Sequence, residues 1–326
     1  MTTSLVTIFG GSGFLGRHTV RALAKAGYRI RVAVRRPANA YFLTPMGTVG
    51  QIQLVKCNVR DADQVRAALT GADVAINLAG ILYPHGGQGF EEIHADAAAN
   101  IAGAARDAGV KSLVHVSAIG ADPESPSSYA STKGEGEQRL REAFPDAAIL
   151  RPSLLFGPED GFFNKFAWLA RMVPALPLVG GGRTKFQPLF VGDAAAAIVR
   201  CVSDPATRGK TYELGGPTVY SFKALMQIVL QETGRRRLLV PVPFFAASIK
   251  AFFLQASALV GIEPLLTMDQ VKLLKSDNVV HDGALTIGDL GVEPAALEAI
   301  VPSYLWRFRA KGQFQDVATS RAPAQQ

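Results

Sequence analysis

A glycine-rich turn near the amino terminus is the feature that most constrains the fold. Residues 6–9 form a short apolar run, a helical pattern covers residues 17–26, and Gly10, Gly13 and Gly16 lie between them. In such a unit the first glycine allows a sharp turn, the second lets a pyrophosphate approach the backbone, and the third lets the helix pack against the strand. The N–H groups at the helix start then face the phosphates. The stretch predicts a dinucleotide site; a glycine turn without a ligand is the alternative.

The end of the second predicted strand indicates which dinucleotide is bound. Residues 30–34 are apolar and are followed by Arg35 and Arg36. An acidic residue at this place binds the ribose hydroxyl of NAD, whereas an arginine suits the 2′-phosphate of NADP. We therefore expect NADPH or NADP as the cofactor, with a solvated arginine pair as the alternative. The expected contacts of the turn and of this strand end are Gly10, Ser12, Gly13, Phe14, Leu15, Gly16, Arg35 and Arg36.

Strand and helix patterns alternate along the first half of the chain. Asp61 is suited to cap a helix that runs to about residue 69, and an alanine-rich helix is predicted over residues 90–108. The later strands are predicted at residues 52–57, 72–78, 112–117 and 147–150. This alternation is typical of a parallel sheet with helices on both faces. The predicted fold class is therefore α/β, a doubly wound (Rossmann) parallel sheet with a smaller C-terminal lobe.

The chain is expected to divide near residue 155. Residues 1–155 form the predicted NAD(P)-binding domain, and residues 156–312 form a C-terminal lobe, part of which, about 186–215, returns to the sheet. Residues 313–326 are polar and are predicted to be a disordered tail.

Residues that follow the third and fourth strands are further candidates for cofactor contact. In open parallel sheets the ligand lies in the crevice at the carboxyl ends of the strands. Asn58 and Val59 follow the third strand, and Asn77, Ala79 and Gly80 end the fourth. We expect all five to line the nucleotide.

A tyrosine and a lysine four residues apart are the candidate catalytic pair. Tyr129 and Lys133 would share one face of a helix. A nearby ammonium lowers the pKa of a phenol, so the tyrosine can move a proton while a nicotinamide moves a hydride. Ser117, at the end of the fifth strand, would hold a substrate carbonyl. The alternative is that the pair only contacts the cofactor.

The composition excludes several other classes of function. The net charge is +7, but the basic residues are spread along the chain, so we expect no nucleic acid as a partner. An anionic membrane surface or an acidic partner suits the charge, and solubility alone is the alternative. The five histidines have no metal-ligand spacing, so no metal site is expected. Cys57 and Cys201 lie in apolar patterns and are predicted to be buried without a disulfide.

A strongly apolar segment covers residues 244–260. It is slightly short for a membrane span, and Lys250 lies near its middle. A buried helix, a membrane-surface helix and a docking face for a partner are the three open interpretations.

The order of the glycine turn, Asn77, Ser117 and the Tyr129–Lys133 pair resembles the atypical branch of the short-chain dehydrogenase/reductase superfamily. Residues 150–160, 180–193 and 266–274 resemble more closely the nucleotide-binding accessory subunit of respiratory complex I (NADH:ubiquinone oxidoreductase). The resemblance extends to about residue 300. Without a recognisable transit peptide, the sequence looks like a bacterial relative of the mitochondrial subunit.

The resemblance implies a bound NADPH that does not turn over with a substrate. It also implies a position among complex I subunits near the quinone site, peripheral on the cytoplasmic face of the inner membrane of a bacterium. By position, Tyr129 and Lys133 would contact the nicotinamide ribose, and Arg151, Pro152 and Ser153 would close the nicotinamide end. Ala118 stands where active extended members often carry serine or threonine.

Three functions follow as hypotheses. The main one is an accessory, stabilising subunit of bacterial complex I with a structural nucleotide. The second is an active NADPH-dependent reductase or dehydratase on an apolar substrate such as a quinone or isoprenoid precursor. The third is a regulator that senses the redox state of NADPH through its C-terminal lobe.

Overall fold

The computed structural model describes residues 4–84, 87–255, 264 and 266–314. The strands are β1 (Leu5–Phe9), β2 (Arg29–Val34), β3 (Ile52–Lys56), β4 (Val74–Asn77), β5 (Ser112–Val116), β6 (Ala148–Pro152), β7 (Leu155–Phe156), β8 (Ala175–Val179), β9 (Lys185–Phe186), β10 (Leu189–Phe190), β11 (Thr211–Leu214), β12 (Tyr220–Ser221), β13 (Leu238–Val242) and β14 (Leu285–Thr286). The α-helices are α1 (Phe14–Lys25), α2 (Ala62–Leu69), α3 (Ala97–Asp107), α4 (Ser128–Ala143), α5 (Phe163–Met172), α6 (Val191–Ser203), α7 (Phe222–Glu232), α8 (Phe244–Gln255), α9 (Met268–Leu273), α10 (Leu297–Ile300) and α11 (Pro302–Leu305).

Eight of the described strands form one parallel sheet in the order β14-β11-β6-β5-β4-β1-β2-β3. The order 3-2-1-4-5-6 within it is that of a doubly wound dinucleotide-binding sheet, and the direction of winding changes between β1 and β4. The predicted fold class is confirmed. The crevice at that point is where a ligand binds in such sheets.

Helices cover both faces of the sheet. On one face, Val20 and Leu23 of α1 and Ile198 of α6 lie in a buried cluster with the side chains of the central strands. On the other, α2, α3 and α4 contribute a second cluster that includes Ile101 and Leu140. Each strand therefore buries alternate side chains on opposite faces, as the near-continuous apolar runs of the sequence require.

The C-terminal lobe has its own apolar core. Helices α5, α7, α10 and α11 contribute to it, and the rings of Phe156 and Phe163 pack edge to face at its centre, 6.0 Å apart. A smaller cluster joins Ala247 and Ala251 of α8 to Val271 of α9. Strand β11 pairs with β6 in the main sheet, and β14 adds a further edge strand that the sequence patterns do not predict.

Most of the predicted elements are confirmed, with one local difference. Asp61 caps α2 as predicted, since its carboxylate accepts hydrogen bonds from the N–H groups of Asp63 and Gln64. The long helix predicted over residues 90–108 instead begins with a π-helical segment at Glu91–Asp96. Cys57 and Cys201 are buried and not bonded to each other, as expected.

The apolar segment predicted over residues 244–260 begins as α8. Its last five residues, and the tail from residue 315, lie outside the described part of the chain. Among the described residues, no helix combines the length and the apolar character needed to cross a membrane.

Candidate functional site

The glycine turn has the tight geometry that the motif predicts. Gly10 has φ 80°, in the left-handed region that favours glycine, and a Cβ atom there would lie 2.8 Å from the carbonyl carbon of Leu78. A Cβ atom at Gly16 would overlap the Gly10 carbonyl oxygen. The turn is closed by a hydrogen bond of 3.1 Å from the Gly13 N–H to the same oxygen. The backbone of β1, its turn and α1 therefore pack too closely for larger residues.

The start of α1 is open to an anion. Gly13 precedes the helix, no side chain of the described residues caps it, and its first turn has no acidic residue. Because the first N–H groups of a helix have no partners within it, an uncapped N-terminus attracts phosphate. Ser12, Phe14 and Leu15 flank this end, all at least partly exposed.

Arg35 and Arg36 lie at the end of β2, and both are exposed. Within the described residues, neither guanidinium forms an ion pair. By contrast, Arg31 on the same strand donates to the carbonyl oxygens of Ala68 and Thr70 at 2.7 and 2.8 Å. The two arginines at the strand end are therefore available for a 2′-phosphate.

Hydrogen bonds to side chains of the protein itself hold the turns that follow β3 and β4. The Asn77 carboxamide accepts from the Ala79 N–H at 3.0 Å and lies 3.1 Å from Nδ1 of His115. Asn77 therefore shapes the turn that continues into Gly80. After β3, the Asn58 N–H donates to the side chain of Gln64 at 2.9 Å, and Val59 packs against the core.

His94, in the π-helical segment, is a site residue that the sequence analysis missed. Its Nε2 accepts from the Ile81 N–H at 3.1 Å, and its Nδ1 lies 3.0 Å from Oγ1 of Thr132 on α4. Its ring meets that of Tyr129 edge to face, with centroids 5.3 Å apart. Burial, and then the charge of Lys133, lower the pKa of His94 to about 2, so the ring is neutral. A lone histidine in an alanine-rich helix was the signal available in the sequence.

Tyr129 and Lys133 share one face of α4, as predicted. The Lys133 ammonium is buried, donates to the Val116 carbonyl oxygen at 3.2 Å, and would lie 3.4 Å from a Cβ atom at Gly80. Lys133 thus reaches the crevice beside the β4 turn. The hydrogen bonds of Tyr129 to other described residues are made by its backbone N–H, to Asp269, and by its carbonyl oxygen, which lies 3.3 Å from the Thr132 hydroxyl.

The expected direction of one pKa shift is wrong. The spacing of four residues predicts that Lys133 lowers the pKa of Tyr129, whereas burial raises the pKa of Tyr129 to about 12. Burial also lowers the pKa of Lys133 to about 8. Both shifts favour the neutral form because the surrounding protein replaces water, and at Lys133 this desolvation outweighs the attraction of Glu137. With a pKa of about 8, Lys133 still carries its proton at pH 7.

Ser117, after β5, is buried at 4% exposure, and its hydroxyl oxygen has no hydrogen-bond partner within the described structure. Its backbone N–H donates to the Leu150 carbonyl oxygen at 2.8 Å, which holds the residue at the sheet edge. A buried hydroxyl without a partner costs free energy unless a ligand or water satisfies it. Ser117 is therefore suited to a polar group of a ligand.

Two residues expected at the nicotinamide end are engaged within the protein. Arg151 makes a double hydrogen bond to the Glu137 carboxylate on α4, at 2.9 and 2.7 Å. The Ser153 hydroxyl lies 2.8 Å from the Asn278 carbonyl oxygen and thereby joins β6 to the C-terminal lobe. Pro152 is buried between them at the end of β6.

The C-terminal lobe also contacts the start of α4. The Asp269 carboxylate, on α9, accepts from the Ser127 hydroxyl at 2.8 Å and from the N–H groups of Ser128 and Tyr129 at 2.8 and 3.0 Å. No local pattern in the sequence joins residues so far apart, and this role of Asp269 was missed.

The residues at this sheet edge fit a nicotinamide dinucleotide. The glycine turn leaves room for a pyrophosphate, the start of α1 attracts it, and the buried Ser117 hydroxyl lacks a partner. When bound, such a cofactor supplies or accepts a hydride. In the described residues, no group of acidic, histidine or cysteine side chains has the arrangement of a metal site.

Comparison with known proteins agrees with this geometry. Residues 6–215 match the NAD-dependent epimerase/dehydratase family. The mitochondrial NADH dehydrogenase (ubiquinone) 1 alpha subcomplex subunit 9 of Arabidopsis thaliana is 34% identical over 330 residues, which cover 98% of this chain and 82% of the relative. A ceramide reductase of Caulobacter vibrioides is 35% identical over 201 residues, 62% of each chain.

A solved structure shows the same fold. The NADPH-dependent quinone oxidoreductase of Escherichia coli, complexed with NADPH, superposes with a TM-score of 0.73 over 92% of this chain and 99% of its own, at 23% identity. The resemblance to the complex I subunit that the sequence predicted is confirmed. The chain belongs to the NAD-dependent epimerase/dehydratase family.

Proposed function

We propose that this protein is an NADPH-binding accessory subunit of bacterial respiratory complex I, in which the nucleotide acts mainly as a structural ligand. The observation that carries the proposal is the similarity to a complex I subunit over 98% of this chain and 82% of the relative. Because it includes the C-terminal lobe, the similarity extends beyond a nucleotide-binding fold. The lobe is where a subunit-specific partner surface would lie.

The preference for NADPH rests on the end of β2. Arg35 and Arg36 are exposed there, and the described chain offers them no carboxylate partner. Arginine binds phosphate through charge-assisted hydrogen bonds, whereas NADH would offer only ribose hydroxyls. A nucleotide that binds only the folded chain stabilises it by mass action, by about 2.7 kcal/mol when present at a hundred times its Kd.

A surface for partners is available on α8. Phe245 and Ile249 lie about one helical turn apart, four residues from each other, and are 72% and 59% exposed. We call these two residues the α8 face. Exposed Leu238 and Val240 lie on β13, which leads directly into α8. Clustered exposed apolar side chains mark binding surfaces, and here they suit complex I subunits near the quinone site, at the membrane surface.

Native-gel electrophoresis of membranes from the source organism tests the proposal. With a tag on the chromosomal copy, we expect the protein to co-migrate with NADH:ubiquinone oxidoreductase activity and to carry nearly one NADPH per chain. Arg35→Ala should lower both the nucleotide content and the co-migrating fraction. A pool that never enters the complex, with the complex active in its absence, would contradict the assignment.

The second candidate is an active NADPH-dependent reductase. The observation that favours it is the buried Ser117 hydroxyl, which has no hydrogen-bond partner in the described structure, as a group that binds a substrate would. The similarity to a ceramide reductase over 201 residues supports an apolar substrate. Tyr129 would donate its proton to a carbonyl oxygen that Ser117 holds by a hydrogen bond, and the charge of Lys133 would stabilise the resulting phenolate.

Tyr129→Phe separates the two candidates. The reductase predicts measurable NADPH oxidation with quinone or long-chain ketone substrates and a loss of at least a hundredfold in kcat, with the nucleotide still bound. The accessory subunit predicts no turnover in either protein and normal assembly of the variant. Ser117→Ala is the matched test of the carbonyl-binding role, because this substitution removes only the hydroxyl group.

A further inference from the structure

We propose that Asp269 is a positioning residue for the nucleotide site, through which the C-terminal lobe holds the helix that carries Tyr129 and Lys133. The proposal rests on the nucleotide binding proposed above. The Asp269 carboxylate makes three hydrogen bonds, to the Ser127 hydroxyl and to the N–H groups of Ser128 and Tyr129, at 2.8, 2.8 and 3.0 Å. A side chain of the C-terminal lobe therefore binds the N-terminus of α4.

Asp269 is not required to cap its own helix. The Thr267 side chain caps α9, and the Gln270 side chain accepts a hydrogen bond from the Thr267 N–H, so both halves of a capping box are present. Asp269 lies in the first turn of α9, and its carboxylate reaches the first turn of α4. The positive ends of two helices thus meet one negative charge, which stabilises their contact.

A second tie strengthens the same contact. Lys272 lies three residues after Asp269, on the same side of α9, and its ammonium donates to the Pro126 carbonyl oxygen at 3.0 Å. Pro126 leads directly into the cap of α4. Two side chains from one face of α9 therefore fix the segment that enters α4.

Another face of α9 packs on α8. Val271 is buried with Ala247 and Ala251 of α8, and Phe244 packs against the same cluster. The α8 face lies on the other side of that helix, exposed. A continuous packed route therefore runs from the α8 face through α9 to Tyr129.

This route makes two binding events interdependent. A nucleotide that contacts Tyr129 and Lys133 favours the arrangement in which α4 is in place, and Asp269 favours the same arrangement from the lobe. Coupling of this kind is reciprocal. If bound NADPH stabilises the packing of α8 against α9, a partner that stabilises the same packing raises the affinity for NADPH. Asp269 is the contact that transmits it.

Cofactor affinity measured by NADPH fluorescence tests the role of Asp269. We expect Asp269→Ala to raise the Kd for NADPH about tenfold, the size of a lost charged cap, and Asp269→Asn to act in the same direction. Ser221→Ala is the matched control, because Ser221 caps α7 through the Ala224 N–H at 3.1 Å, away from the crevice. It should lower the melting temperature yet change the Kd less than twofold. Equal Kd changes in both variants would overturn the proposal.

Hydrogen exchange of the unmodified protein gives a test that needs no variant. On addition of NADPH, we expect slower amide exchange at Gly10–Gly16 of the turn, at the start of α4, and in α8 and α9 as well. Protection of the turn and of α4 with no change in α8 and α9 would overturn the coupling while leaving nucleotide binding intact. No protection at the glycine turn would instead overturn the proposed function itself.

Discussion

The carboxylate of Asp269 accepts a hydrogen bond of 3.0 Å from the backbone N–H of Tyr129, although 140 residues separate them along the chain. On the other side of the same helix, His94 contacts the Tyr129 ring and the Thr132 hydroxyl. The first turn of α4 is thus held from two directions. The position of its tyrosine depends on the C-terminal lobe as well as on the π-helical segment.

Gly13→Ala should impair the cofactor site without disturbing the fold. Gly13 has φ −72°, which alanine adopts readily, and the added methyl group would lie 3.3 Å from the Gly10 carbonyl oxygen, with no closer neighbour. The methyl group would project where a pyrophosphate approaches, so we expect at least a tenfold rise in the Kd for NADPH. The free energy of unfolding without nucleotide should change by less than about 0.5 kcal/mol. Gly103→Ala, in open space on α3, is the control and should leave the Kd unchanged.

Replacement of Arg35 and Arg36 by alanine should change the choice of cofactor. Loss of charged hydrogen bonds to a 2′-phosphate costs about 1.5–3 kcal/mol, so NADPH should bind roughly 10- to 150-fold more weakly. NADH affinity should hardly change. Arg29→Ala, at the opposite end of β2, makes the same change of charge per residue and should leave both affinities unchanged. An equal loss for NADPH and NADH would contradict the assignment of the two arginines.

NADPH affinity should fall as the pH rises through about 8. Burial lowers the pKa of Lys133 to about 8, so in the nucleotide-free protein the ammonium is lost as the pH passes that value. If the ribose accepts a hydrogen bond from this ammonium, binding must restore the proton above that pH, at a cost of about tenfold in affinity per pH unit. Titration calorimetry at pH 7, 8 and 9 measures this slope. Lys133→Met should bind more weakly at pH 7 and show no such slope.

Acid should destabilise the protein through two buried histidines. Burial lowers the pKa of His94 to about 2 and that of His115 to about 3, whereas both titrate near 6.5 in the unfolded chain. Below pH 6.5 the unfolded state therefore binds protons that the folded state does not, and stability falls by about 1.4 kcal/mol per pH unit for each histidine.

Urea unfolding between pH 7 and 4.5 checks that slope. His94→Gln places an amide oxygen near the position of Nε2, where it can still accept from the Ile81 N–H. Because one titrating group is lost, the fall in stability should become smaller by about 1.4 kcal/mol per pH unit. His115→Asn, with its oxygen near the position of Nδ1, is the corresponding variant beside Asn77. A slope unchanged in both variants would show that other groups govern the acid sensitivity.

The parts of the site that come from neighbouring residues were predictable from the sequence. Gly10 and Gly16 act through a single turn, and Tyr129 and Lys133 through one turn of helix, so spacing alone was informative. The same holds for Asp61, whose cap bonds span two and three residues. Periodicity and local caps therefore predicted the sheet and most of the helices.

The parts that depend on distant residues were not predictable. Asp269 acts across 140 residues, and β14 is only two residues long, too short for a pattern. The pKa of Tyr129 was predicted in the wrong direction because spacing shows a charged neighbour but not how much water the fold removes. How deeply a side chain is buried depends on how all the helices and strands pack together.

The position of β14 has a consequence for the order in which the protein is completed during synthesis. Leu285 and Thr286 pair with β11, so the edge of the sheet beside β11 stays uncovered until more than 280 residues have been made. An uncovered strand edge is a template for pairing with other chains. The glycine turn, Asn77, Ser117 and the Tyr129–Lys133 pair, by contrast, all lie within the first 155 residues. Early binding of a nucleotide would give the nascent sheet a stable centre while its last edge strand is still being made.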